Sequence, residues 1–187
     1  MTKSLIKGEK FVIGKRNEGL NQLRLELKFK NPYGSLVDID LFAFFMDEKN
    51  VVDQEDIIFY NHPFKDKIIT YKEEDDDEEY KKIFTIDLNK LPKDTLKIIF
   101  GCSIYKDKNI KEAKKIPLTF TAFEQMTQME MFQIQEEVEI GINETFLLGD
   151  IYAYKDLWKF NTVLYKHEKQ LLDIAKSLYE MKIYSCK

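Results

Sequence analysis

Leu23, Leu25, Leu27 and Phe29 alternate with Gln22, Arg24, Glu26, Lys28 and Lys30 in the stretch QLRLELKFK. Successive side chains of a strand point to opposite sides. A period of two therefore predicts an antiparallel strand with one buried face and one wet face. Asn31-Pro32-Tyr33-Gly34 follows as a turn signal. The next run, SLVDIDLFAFFMD from Ser35 to Asp47, starts with the same alternation and turns apolar at every position from Leu41 to Met46. That pattern predicts a central strand covered on both faces. Asp47-Glu48-Lys49-Asn50 reads as a polar turn.

Further strands are predicted at DIIFYN, KIITYK, KKIFTIDL and LKIIFGCSIY, with Leu91-Pro92-Lys93-Asp94 separating the last two. Asn109 to Lys115 reads as a short helix or a polar loop. After Pro117 come LTFTAFEQM, MEMFQIQEEVEI, ETFLLGDIYAY and LWKFNTVLY, all dense in β-branched and aromatic residues. Only the tail, about residues 166–182, changes period. There Leu171, Ile174, Ala175, Leu178 and Met181 recur at three- and four-residue spacing and predict an amphipathic helix. Many short strands without intervening helices point to a mainly β chain: a two-sheet β-sandwich with a C-terminal amphipathic helix. No linker or repeat divides the chain, so residues 1–187 are expected to form a single domain.

Composition narrows the function classes. The chain is 44% apolar and 13% aromatic, which is enough for a sizeable core despite 33% charged residues. Its formal charge of −4 lacks the basic excess that phosphate binding needs, so nucleic acid is not an expected partner. Cys102 and Cys186 are too few for a disulfide framework and fit a reducing compartment. No run approaches the apolar length of a membrane span, and MTKSLIKGEKFVIGK lacks a signal-peptide core. A cytoplasmic protein is expected.

Neither G-x-x-x-x-G-K-[ST] nor G-x-S-x-G occurs. His167 opens HEKQL without a second histidine four residues on, and His62 beside Pro63 reads as a loop residue. Cys102 lies in an apolar strand and reads as a small core residue. Tyr152, Tyr154, Trp158 and Phe160, and the methionines Met126, Met129 and Met131, are read as core packing. No carboxylate pair is singled out as an acid/base couple, so a non-enzymatic protein is expected. The notable charge feature is EEDDDEE, Glu73 to Glu79. By itself such a run reads as a solvated charge block. Asp38 and Asp40, two apart, project from one strand face with backbones about 7 Å apart. Alone they read as strand-end aspartates bonded to a turn.

The order of short motifs resembles the TerD family of tellurium-resistance and general stress proteins. Leu5-Ile6-Lys7-Gly8 is similar to the family's opening L-x-K-G. Val37-Asp38-Ile39-Asp40-Leu41-Phe42-Ala43-Phe44 resembles F-D-L-D-A-S-A-F, and Asp56 to Asn61 resembles D-F-V-F-Y-N. Ile86-Asp87-Leu88 with Leu91-Pro92 is similar to V-D-L-x-x-L/V-P. Leu148 to Tyr152, followed by Trp158-Lys159-Phe160, is similar to G-E-L-Y-R and W-K-F. The resemblance runs over nearly the whole chain. It implies a β-sandwich and a non-enzymatic calcium-binding protein of stress responses, including tellurite and phage resistance. It implies a scaffold or sensor acting through other stress-response or Ter-type proteins.

The resemblance also implies a site. One or two calcium ions would be held by Asp38, Asp40, Asn61, Asp75, Asp76, Asp77 and Glu78, with the loop from Glu73 to Glu79 folding onto the first three. The chain departs from the family at this loop, which elsewhere is glycine-rich. No glycine lies between Gly34 and Gly101, and glycine supplies the positive φ angles that wrap a backbone around an ion. The family's second asparagine is His62 here, a ligand better suited to transition metals. Two other readings stay open: an interaction domain without metal, and a small-molecule module with a pocket between the sheets.

Overall fold

The computed structural model describes residues 2–16, 22–47, 54–76, 79–92, 94–110, 115–140 and 144–178, with backbone only at 54, 75, 76, 177 and 178. The first strands are β1 (Lys3–Ser4), β2 (Lys10–Lys15), β3 (Gln22–Phe29), β4 (Val37–Asp47), β5 (Ile57–Ile58) and β6 (Phe64–Lys65). Next come β7 (Ile69–Asp76), β8 (Glu79–Asp87), β9 (Thr95–Lys106) and β10 (Lys115–Glu124). The last strands are β11 (Glu130–Glu139), β12 (Glu144–Tyr154) and β13 (Leu157–His167), and helix α1 (Leu171–Leu178) ends the described chain. Sheet A has the order β1-β11-β10-β3-β8-β7-β6, and sheet B the order β2-β13-β12-β9-β4-β5. The two sheets form a sandwich, as the alternation predicts.

The period-two pattern of β3 has its expected result. Leu23, Leu25, Leu27 and Phe29 are buried between the sheets, while Arg24 and Lys28 flank Glu26 on the outer face. Strand β4 is covered on both faces, also as expected. Ile39, Leu41, Ala43 and Phe45 enter the core between the sheets. Phe42, Phe44 and Met46 join a second apolar cluster with Ile57, Ile99, Leu147 and Ala175 of α1. The helix and the β5 segment thus cover the outer face of sheet B. The strand is not central in its sheet: among the described residues only the short β5 lies beyond it, pairing at Ala43 and Phe44.

The structure differs from the sequence reading at further points. The described part of the acidic run is strand, not loop. Glu73 to Asp76 continue β7, and Glu79 opens β8. The register sets Glu73 opposite Lys82 and Glu74 opposite Lys81, and Lys28 of the neighbouring strand lies 3.3 Å from Glu79. Opposed charges let the ladder persist through a repulsive sequence. Strand β10 starts at Lys115 rather than after Pro117. Pro117 pairs with Glu137 on one side, while the pairing with β3 begins only at Leu118, a position that tolerates a missing N–H. Lys166 and His167 complete β13, so α1 begins later than residue 166. Met126 and Met129, read as core filler, are 85% and 60% exposed in the β10–β11 connection; Met131 packs against the core. Strands β1 and β2 were not evident from the pattern, because one is only two residues long and both are mostly exposed or half-buried.

Trp158 and Phe160 are in the core, whereas Tyr154 is half-exposed with Lys159 Nζ 4.3 Å from its ring centroid. Cys102 is fully buried in β9, and burial pushes its thiol up to about 12, so it is inert packing. Gly101 beside it is required by close approach. A Cβ there would run into the Phe42 ring and the Phe146 carbonyl oxygen.

Candidate functional site

Strands β4 and β8 meet across the two sheets, which brings β4 near the β7–β8 hairpin. Asp38 is exposed and Asp40 half-buried, both on the outer side of β4. Burial raises the Asp40 pKa to about 6, the Asp38 and Glu73 carboxylates add to the rise, and Lys82 opposes it. Charges on the two sheets are therefore within mutual electrostatic range.

Lys82 is 5% exposed and sits 3.0 Å from Glu73 Oε2. Tyr71 donates its hydroxyl proton to Glu73 Oε1 at 2.6 Å. Burial alone would push the Glu73 pKa up, but these two hydrogen bonds outweigh it and hold the carboxyl below its ordinary range. The Tyr71 hydroxyl is pushed well above its ordinary range by burial and by donating to Glu73. Farther along the hairpin Glu74 pairs with Lys72, whose contact lowers the Glu74 pKa.

The described residues among those expected to hold calcium divide into three groups. Asp38 and Asp40 lie together, and Glu73 is near enough to act on Asp40. Asn61 is exposed in the tight turn where Phe59 and His62 exchange backbone hydrogen bonds of 3.1 and 2.9 Å. The backbones of Asp75 and Asp76 lie in β7, paired with Tyr80 and Glu79. Asp77 and Glu78 lie outside the described residues. Calcium takes about six to eight oxygens. The described residues match it in donor type and charge but fall short in number, since no three of His, Cys, Asp or Glu among them are arranged to hold a metal. Glu73, moreover, already has an ammonium partner.

A second feature has no signal in the sequence. On the outer face of sheet B, Asp40 pairs with Ser103, Ser103 with Thr145, and Thr145 with His167. Direct cross-strand neighbours share a face about 5 Å apart, so these residues form one polar row across four strands. Apolar residues flank it: Phe42, Gly101 and Leu147 form the next row. Asp40, Ser103 and Thr145 line a partly open cavity of 730 Å³, closed further by the β5 segment and the start of α1. The row joins residues up to 127 positions apart, so only strand register could reveal it. His62, read as a loop residue, also lines this cavity, with Nδ1 2.9 Å from the Ile57 carbonyl oxygen.

Fold and charge thus define a two-sheet β-sandwich with an acidic side. The TerD domain model matches residues 1–178, and the chain belongs to the TerD family. Two solved structures share the fold. One is SAV2460, described as a protein of unknown function, at 14% identity and a TM-score of 0.61. The other is SCO6318 from Streptomyces coelicolor A3(2), described as a homologue of the telluride resistance protein TerD, at 13% identity and a TM-score of 0.61. Each likeness covers 84% of this chain and 96% of the other. No curated protein matches the chain. Among the described residues, no helix is long and apolar enough to cross a membrane.

Proposed function

We propose that this TerD-family chain is a non-enzymatic stress-response protein that takes up calcium on its acidic side and acts through protein partners. Family membership suggests a role in tellurium resistance or stress. The observation that carries the calcium reading is the charge imbalance: Asp38, Asp40 and Glu73 share one field, in which Lys82 is the opposing cation. Asp38 and Asp40 would hold the ion, with further oxygens from the acidic hairpin. The ion would supply positive charge, lowering the repulsion that raises the Asp40 pKa. Neutralising that side would present a partner with a different electrostatic face.

Calcium that binds only the folded protein raises its melting temperature by mass action. A thermal melt should shift upward between chelator and millimolar calcium, and the shift should vanish in an Asp38→Asn/Asp40→Asn double variant. Identical melts of the unmodified chain in both conditions would sink the reading. A second reading rests on Lys82, whose ammonium already serves Glu73. In that reading the chain is an interaction domain that needs no metal, and identical melts are its expected result.

A further inference from the structure

The cavity on the outer face of sheet B supports an inference independent of calcium. Its floor is the polar row of Asp40, Ser103 and Thr145, and its walls include Phe42, Phe59 and Leu171. A volume of 730 Å³ falls in the range of small-molecule sites, which combine apolar walls with a few placed polar groups. Thr145 is 0% exposed, and among the described residues its hydroxyl has no hydrogen-bond partner. A buried hydroxyl is unfavourable until something satisfies it, and Thr145 lines the cavity.

The charge of the lining limits what can enter. Asp40, Glu55 and Glu144 contribute carboxylates, and among the described residues no lysine or arginine lines the cavity. Glu144 is paired with Lys166, 3.0 Å away, which leaves the excess negative charge at the Asp40 and Glu55 side. An anion would be repelled there, and a neutral apolar molecule would desolvate Asp40 without compensation. A cation with an apolar body meets both demands. The Phe59 and Tyr60 rings, edge to face at 5.4 Å, add the negative faces that attract cations.

We propose that this cavity binds an organic cation: an apolar or aromatic body carrying a protonated primary amine. The ammonium is held at Asp40, the body lies against Phe42, Phe59 and Leu171, and Thr145 hydrogen-bonds a polar group of the ligand. The site lies on the outer face of sheet B, not between the sheets.

The test is calorimetric titration of the full chain, in chelator, with three probes of one shape: 3-phenylpropylamine, 3-phenylpropanol and 3-phenylpropionate. Working in chelator separates this proposal from the calcium reading, since the two share only Asp40. The amine should bind about tenfold or more tighter than the alcohol, a difference of one decade in Kd. The carboxylate should be weakest. Asp40→Asn should remove the preference for amine over alcohol while leaving alcohol binding intact. Leu172→Trp, at a half-exposed position on the cavity rim, should weaken amine and alcohol alike without lowering the melting temperature. Equal affinity for the three probes, preference for the carboxylate, no binding of any probe, or an amine preference that survives Asp40→Asn would overturn the proposal.

Discussion

Asp40 on β4 and Glu73 on the β7–β8 hairpin are carboxylates close enough to influence each other, yet their surroundings push them in opposite directions. Asp40 is raised to about 6 by burial and by the Asp38 charge. Glu73 is held low by the Tyr71 hydroxyl and the Lys82 ammonium despite its own burial. The difference lies in hydrogen-bond donors. Glu73 has two, one on each oxygen, while among the described residues Asp40 receives only distant help from Lys82. Glu73 is therefore electrostatically settled, and Asp40 keeps a demand for positive charge. Carboxylates with separated pKa values often mark the working part of a site.

The comparison is most strongly broken by removing the cation that settles one side. Lys82→Met should lower stability at pH 7 by about 2 kcal/mol, measured by denaturant unfolding, because it strips Glu73 of its buried partner. A loss below about 0.5 kcal/mol would mean that Glu73 is satisfied by water and Tyr71 alone.

Asp40→Asn should act in the other direction. The folded pKa lies above the unfolded value, so the folded chain binds more protons between about pH 4 and 6, and stability falls as pH rises through that window. At full strength the shift would be worth about 3 kcal/mol, and partial exposure reduces that to about 1. In chelator at pH 8 the variant should be more stable by about 1 kcal/mol, and at pH 4 the gain should disappear. A variant less stable than the parent at pH 8 would show that Asp40 is already compensated.

Glu73→Gln should give the mirror image. A lowered folded pKa stabilises the protein above the unfolded pKa, and the benefit is lost as pH falls through the folded value. The variant should lose about 0.5 kcal/mol at pH 7 and converge with the parent in acid, as read from unfolding curves across pH. The smallest effect belongs to Glu74→Gln. Its pair with Lys72 is exposed, and the change in melting should correspond to no more than about 0.3 kcal/mol.

Part of this arrangement was legible in the chain. The alternation of β3 and the doubly apolar run of β4 predicted their buried faces, because each strand carries its own periodicity. The pairing of Asp38 with Asp40 was equally local. The strand character of the described ends of the acidic run was not legible, because composition cannot report a cross-strand partner. Lys82 and Lys81 follow only a few residues later, but their value depends on hairpin register. Met126 and Met129 were misread because an apolar residue in a connection looks the same in sequence as one in a strand.

The sequence by itself determined the mainly β architecture, the family and the two aspartates of β4. Strand periodicity and motif order are properties of adjacent residues. Only the tertiary structure decided that Lys82 answers Glu73, that Asp40 stays underserved, and that Asp40, Ser103, Thr145 and His167 form one row beneath a cavity. These depend on register between strands distant in the chain and on how one sheet stacks on the other. A shift of one residue in any of those strands would turn the row's side chains to the opposite face.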